Sequence, residues 1–147
     1  MITAQRSRRI RASELCGERQ SRVKTERVLL VIDDEEELCD FMQRALRKHF
    51  DAIHVAGGSV EALSLLDSQP ITHVVCDLFL GEGEPLGHEL VRGWRNRKPS
   101  IRYLALFTGS ILDCRDIVAG PGFEVDGLFK KPSGLRDLLA ILKNRAT

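Results

Sequence analysis

From residue 28 onward the chain alternates short, β-rich apolar runs with longer segments of helical period. That alternation is the signature of a βα-repeating, mostly parallel sheet, and five such units fit. The first run, Val28 to Ile32, precedes Leu38, Phe41, Met42, Ala45, Leu46 and His49, whose steps of three and four place one apolar stripe on a helix. Glu35, Glu36 and Glu37 fall in or just before its first turn, where negative charge suits the helix dipole. A weaker strand, Ala52 to Val55, leads through Gly57-Gly58 and an expected N-cap at Ser59 to a helix carrying Leu63 and Leu66, stopped by Pro70. Strand three is His73 to Cys76, followed by a glycine- and proline-bearing loop from Gly81 to Gly87 and a helix from about His88 to Asn96, with Pro99 as its stop. Strand four, Ile101 to Phe107, ends in Thr108-Gly109-Ser110, and a less regular helix spans Leu112 to Ala119. Strand five is Gly127 to Lys130, and the closing helix, Ser133 to Arg145, aligns Leu135, Leu138, Leu139 and Leu142.

Near-continuous apolar strands separated by helices describe a sheet covered on both faces, and such sheets bind ligands beyond the carboxyl ends of their strands. The polar residues at those ends form a consistent set: Asp33 and Asp34 after strand one, Asp77 after strand three, Thr108 after strand four and Lys131 after strand five. Taken alone, Asp33-Asp34 reads more readily as a turn and helix N-cap than as a site; in register with the other three it marks a site. Three carboxylates brought close together repel unless a divalent cation neutralises them. Oxygen ligands without Cys or His favour Mg²⁺ over zinc or copper. Completed by a lysine and a hydroxyl, the set suits a phosphoryl group, with one carboxylate as the nucleophile.

With 147 residues, 43% of them hydrophobic, the chain accommodates one domain with a core and a tail. Cys16, Cys39, Cys76 and Cys114 lack metal-ligand spacing, which argues against structural zinc and a disulfide scaffold and for reduced thiols in the cytoplasm. No stretch is long and apolar enough to span a bilayer, and the arginine-rich N-terminus has no signal-peptide core, so no membrane association is expected. The net charge of +1 conceals an asymmetry: residues 1–27 hold 8 Lys/Arg against 3 Glu, leaving 14 basic against 18 acidic residues beyond them. Residues 1–26 read as a basic, disordered tail, and only its cluster Arg6, Arg8, Arg9 and Arg11 offers nucleic acid a contact. Residues 27–147 read as the folded domain.

Asp33-Asp34, Asp77, Thr108-Gly109 and Lys131-Pro132, in this order and spacing, resemble the receiver domain of bacterial response regulators over residues 27–145. The resemblance implies a flavodoxin-like, doubly wound (βα)5 three-layer α/β sandwich with parallel sheet order 2-1-3-4-5. It implies that Asp77 is the phosphoacceptor, attacking the phosphohistidine of a sensor histidine kinase or a histidine phosphotransfer protein. Asp34, Asp77 and the backbone carbonyl of Phe79 would ligate Mg²⁺ directly, with Asp33 acting through metal-bound water. Lys131 would pair with a phosphoryl oxygen or with Asp77, its bond to Pro132 is expected to be cis, and Thr108 would move toward the phosphoryl group. The signal would leave for a downstream target through the face of helix four, strand five and helix five. The further expectations are a stand-alone receiver, a monomer or weak homodimer, that is no enzyme beyond its own phosphorylation and dephosphorylation.

Two positions depart from the family pattern. Leu128 stands where the switch aromatic usually lies, and Phe129, one place later, faces the other side of the sheet by strand alternation. The loop from Leu78 to Gly87 is about two residues longer than the common form, lacks its Met-Pro and carries Glu82 and Glu84. The apolar bulk of Phe79 is expected to slow hydrolysis. These departures motivate an alternative, a pseudo-receiver that binds partners without phosphorylation; a Mg²⁺-dependent phosphohydrolase is disfavoured because a DxDxT-type motif is absent at Asp77-Leu78-Phe79. Lys130 is expected to face solvent, Cys76 and Trp94 to pack in the core, and His49, His54, His73 and His88 to be surface or half-buried structural residues.

Overall fold

The computed structural model describes residues 26–109 and 125–146. The expected helix at Leu112–Ala119, Ser110, the arginine cluster, Cys16 and Cys114 lie outside the described residues. Five strands, β1 (Val28–Ile32), β2 (Ala52–Ala56), β3 (His73–Cys76), β4 (Tyr103–Thr108) and β5 (Gly127–Lys130), form one parallel sheet in the order β2-β1-β3-β4-β5. The helices are α1 (Glu36–Leu46), α2 (Ser59–Ser68), two short pieces α3 (Gly87–Leu90) and α4 (Trp94–Arg97), and α5 (Leu135–Ala146). The doubly wound α/β expectation holds, strand order included.

Strand alternation sorts the core into two layers. Val28, Leu30, Ile32, Val74, Cys76, Leu104 and Leu106 point to one face, where they pack with Ala62 and Leu66 of α2 and with Leu90, Val91 and Trp94 around α3 and α4. Leu29, Val31, Val75, Tyr103, Ala105 and Phe107 point to the other, against Cys39, Met42 and Leu46 of α1 and Leu138 and Leu142 of α5. Leu128 packs into the first layer and Phe129 into the second, the opposite facing that strand alternation anticipates. Burying both faces of β1, β3 and β4 removes apolar area from water on both sides at once, so most of the stabilisation is concentrated in these strands.

Four local expectations are corrected. The helix anticipated over His88–Asn96 is interrupted from Val91 to Gly93, and Gly93, the N-cap of the second piece, has a φ of +76°, left-handed backbone that glycine takes without a Cβ penalty. The N-cap of α2 is Gly58 and Ser59 is its first helical residue; the capping acceptor comes from outside the helix, as described below. Strand β4 starts at Tyr103 and includes Thr108, because Arg102 and Tyr103 N–H groups both turn to the Thr72 carbonyl before the ladder begins. His73 and His88 are buried, not half-buried; a 2.7 Å hydrogen bond joins His73 Nδ1 to Thr72 Oγ1, and Phe50 meets its ring edge-on. Trp94 and Cys76 are buried and Lys130 is exposed, as expected. Among the described residues, no helix is long and apolar enough to cross a membrane.

Candidate functional site

The chain leaves β1 toward β2 on one side of the sheet and reaches β3 on the other, so the crevice of the fold opens between the carboxyl ends of β1 and β3. The sheet's own hydrogen bonding extends to the two acidic residues there. Asp33 N–H donates to the Ala56 carbonyl at 3.0 Å and Asp77 N–H to the Ile32 carbonyl at 2.9 Å. Both backbones are therefore fixed by the ladder, and both residues are nearly sealed from solvent, at 4% and 7% exposure overall.

Each carboxylate divides its oxygens between a backbone donor and a lysine. Asp33 Oδ1 accepts from Glu35 N–H at 2.9 Å, and Asp77 Oδ1 from Leu78 N–H at 2.7 Å. Their second oxygens accept from Lys131 Nζ, at 2.7 Å for Asp33 Oδ2 and 2.9 Å for Asp77 Oδ2. Glu35 Oε1 completes the lysine's set at 2.8 Å. Lys131 is aimed by its own backbone, whose N–H donates to the Thr108 carbonyl at 2.9 Å, and the peptide bond to Pro132 is cis. The Phe107 ring lies beneath the ammonium, 5.7 Å from ring centroid to Nζ.

Burial pushes the Asp33 carboxyl above its usual range, with the Asp77 charge adding to the effect and the Lys131 and Glu35 N–H hydrogen bonds opposing it. Burial alone would lower Lys131; the hydrogen bonds to Asp33, Glu35 and Asp77 outweigh it and hold the ammonium above the usual lysine value. Three carboxylates thus share one fixed positive charge and keep a local excess of negative charge.

The chemistry of the donor set fits a hard divalent cation. One oxygen each from Asp33, Glu35 and Asp77 lies within 4.8 Å of the others, and all are carboxylate oxygens. Among the sequence candidates the structure joins Asp33, Asp77 and Lys131. Asp34 is exposed and lines an acidic cleft of about 410 Å³ with Asp33, Glu36, Asp40 and Glu61. Thr108 is buried at the end of β4, paired in register with Lys130. The Phe79 side chain is 48% exposed, two positions beyond Asp77. Glu35 was missed: the reading of it as a helix-dipole charge is local, whereas its position as a third successive acidic residue after a buried strand marks it as a neighbour of the site. It precedes α1, without a side-chain cap hydrogen bond, and turns to Lys131 instead.

The backbone behind Asp77 is closely packed. A Cβ on Gly87 would overlap the Asp77 carbonyl oxygen and reach within 3.0 Å of Cys76 Sγ. Gly87 N–H donates to the Leu78 carbonyl at 2.7 Å, closing the loop 78–87 at its base. Only glycine allows α3 to start this near to the Asp77 main chain.

No family model matches the chain. Its structure superposes on the response regulator receiver domain protein (CheY-like) of Methanospirillum hungatei JF-1 with a TM-score of 0.69 at 21% identity, over 83% of this chain and 94% of that one. A response regulator protein from Burkholderia pseudomallei, solved with a phosphorylated aspartic acid, calcium ion and citrate, is 27% identical with a TM-score of 0.66, over 82% of this chain and 69% of that one. The acid tolerance regulatory protein ActR of Sinorhizobium medicae (strain WSM419) is 27% identical over 118 residues, which are 80% of this chain and 58% of that protein. The chain therefore spans little more than half the length of that relative. Strand order, the acidic crevice with its lysine and these likenesses agree: the folded part of the chain has the fold of CheY-like response regulator receiver domains and is similar to them.

Proposed function

We propose that the protein is a phosphoacceptor of a two-component or phosphorelay system, receiving a phosphoryl group on Asp77. The observation that carries this reading is the pairing of Asp77 Oδ2 with Lys131 Nζ at 2.9 Å beside the buried Asp33, at the switch point of the sheet. Asp77 Oδ2 attacks the phosphorus of a phosphohistidine on a sensor kinase or histidine phosphotransfer protein; the new O–P bond forms as the P–N bond breaks. The leaving imidazole nitrogen keeps the electron pair and takes up a proton. Lys131 changes partner from the Asp77 carboxylate to a phosphoryl oxygen, and Thr108, at the neighbouring strand end, donates its hydroxyl to another. Asp33, Asp34, Asp77 and the Phe79 carbonyl would hold Mg²⁺, with Glu35 as a further carboxylate at its edge. When bound, the ion neutralises the carboxylates and the developing charge on the phosphoryl oxygens. The phosphorylated aspartic acid in the related Burkholderia pseudomallei structure supports this chemistry.

Under this reading the receiver works in the cytoplasm, as a monomer or weak homodimer, and catalyses only its own phosphorylation and dephosphorylation. Its output face joins strand β5 and helix α5 to the fourth helix of the family pattern, which lies outside the described residues. A second reading, the pseudo-receiver acting without phosphorylation, is favoured by Leu128, which packs on the α2 side of the sheet where the family carries an aromatic reporter.

The two readings separate on incubation with Mg²⁺ and acetyl phosphate followed by intact mass. A single phosphoryl adduct, lost in Asp77→Ala, supports the phosphoacceptor. Absence of any adduct in the wild type, with phosphohistidine donors as well as acetyl phosphate, supports the pseudo-receiver.

A further inference from the structure

The loop from Leu78 to Gly87 carries the acceptor's neighbours and is tied down at both ends by different means. Its base is closed by the Gly87 to Leu78 hydrogen bond, with Leu78 and Leu80 buried in the core. Its tip turns through Gly81 and Gly83, at φ of +120° and +81°, with Glu84 N–H donating to the Gly81 carbonyl at 3.2 Å. From that turn the Glu84 side chain crosses to another element: its Oε1 accepts from the Ser59 N–H at 2.6 Å. Ser59 is the first residue of α2, a helix of 10 residues with no side-chain cap of its own. Gly58 leaves room for the carboxylate, since a Cβ there would lie 3.1 Å from Glu84 Oε1.

We infer that Glu84 is a positioning residue: as an α2 cap supplied from a distant loop of the same chain, it latches the acceptor loop against the β2–α2 corner and holds the backbone around Phe79 ready for the cation and the phosphoryl group. This rests on the phosphoacceptor reading for its consequence, but the latch itself does not. Three features support it. The bond is charge-assisted and directed at an N-terminal helix N–H, where a carboxylate gains most. The loop beside it is two-glycine backbone, free of Cβ constraint at Gly81 and Gly83, so without a tether it has wide conformational freedom. Asp34 borders the same turn, since a Cβ on Gly81 would lie 3.8 Å from Asp34 Oδ2. A shift of the turn therefore alters the surroundings of a proposed ligand.

The test uses the full chain and the variants Glu84→Ala, Glu84→Gln and Gly58→Ala, with two readouts: amide hydrogen exchange over residues 79–86 and Ser59, and Mg²⁺ affinity by calorimetry. Glu84→Ala is expected to speed exchange in both segments and to weaken Mg²⁺ by roughly five- to tenfold, the factor one charge-assisted capping hydrogen bond sustains. Glu84→Gln, whose amide oxygen still accepts from Ser59, is expected to restore most of both. Gly58→Ala leaves Glu84 in place but crowds its carboxylate, and is expected to act in the same direction as Glu84→Ala. Unchanged exchange at residues 79–86 and at Ser59 in both Glu84→Ala and Gly58→Ala overturns the latch. Faster exchange with unchanged Mg²⁺ affinity overturns the positioning role. A wild type that binds no Mg²⁺ and accepts no phosphoryl group overturns instead the functional reading on which that role rests.

Discussion

Glu35 and Lys131, 96 positions apart in the chain, meet at 2.8 Å across the mouth of the crevice and make the lysine a three-carboxylate hub. The contact is unequal to the other two: Glu35 is 60% exposed on its side, against 3% for Asp33 and 9% for Asp77. The exposed arm is screened by water and is worth little to folding, under about 1 kcal/mol, while the two sealed arms neutralise charges that have no other cationic side chain bonded to them among the described residues. Lys131→Met is therefore expected to destabilise the protein by about 2 kcal/mol in the absence of divalent cation, because Asp33 and Asp77 lose their counter-charge. Added Mg²⁺ should recover much of that loss. Urea unfolding of the wild type and Lys131→Met, each with EDTA and with Mg²⁺, checks it; an equal loss with and without Mg²⁺ would count against a cation site at these carboxylates.

Glu35→Gln isolates the exposed arm. Stability should change by less than about 1 kcal/mol. Mg²⁺ affinity should fall by a factor of about three, since a single negative charge is removed at the rim of the cluster and partly screened. Calorimetric titration reads the second quantity, and an unchanged affinity would place Glu35 outside the cation's reach.

Gly87→Ala should be the most damaging small substitution near Asp77. The added methyl meets the Asp77 carbonyl and Cys76 Sγ rather than a mobile side-chain tip, so the backbone must give, at a cost of about 1–3 kcal/mol. Gly57→Ala is the matched control, with nothing within 4 Å of the added Cβ, and should be close to neutral. Thermal unfolding of the two variants side by side distinguishes a packing constraint from a general intolerance of alanine.

The proposed phosphoacceptor role makes Phe79 a timing residue. Its half-exposed ring stands in the loop just beyond Asp77, and its replacement by a polar side chain admits water to the phosphoryl group more readily. Phe79→Asn is expected to shorten the lifetime of the phosphorylated form severalfold. Following the adduct by mass after removal of the donor tests this, and an equal or longer lifetime in Phe79→Asn contradicts it.

The buried thiols yield a prediction about alkaline pH. Burial and the nearby Asp33 and Asp40 charges push the Cys39 thiol up to about 11 from an ordinary value of 9.0, and burial pushes Cys76 up as well. A folded-state value above the unfolded one means that the unfolded chain loses its proton first, so this contribution to stability is complete below pH 9 and is lost as pH rises toward 11. Cys39→Ala should flatten the decline of stability over that interval relative to the wild type. Both thiols should also resist alkylation at neutral pH in the folded protein, as peptide mapping would reveal.

Much of this architecture is legible in the chain because its strands speak clearly. β1, β3 and β4 are buried on both faces and hence apolar almost throughout, and the polar residue that ends each run falls at the same end of a parallel sheet. Asp33, Asp77 and Lys131 were found that way. What escaped were contacts made by long, flexible acidic side chains reaching across elements. Glu35 carries a plausible local role as a dipole charge, and nothing in its neighbours announces a lysine almost a hundred residues later. Glu84 reads as loop charge near the pocket mouth, while Ser59 offers the helix that Glu84 caps an N-cap of its own. The break before Trp94 was hidden for a related reason: one glycine inside a helical pattern is tolerated, and only the positive φ that Gly93 adopts here, as the N-cap of a new helical piece, separates it from the one ending at Leu90.

The hydrogen bonds from Asp33 N–H to Ala56 and from Asp77 N–H to Ile32 give the crevice two kinds of wall. On the sheet side the Asp33 and Asp77 backbones are stitched into the ladder and cannot shift without unzipping a buried strand. On the opposite side stand a lysine tail and a glycine-hinged loop, both movable at the cost of one or two polar contacts. Whatever occupies the crevice will therefore be felt as displacement on that side alone, and a partner able to tell the filled state from the empty one must touch the yielding wall.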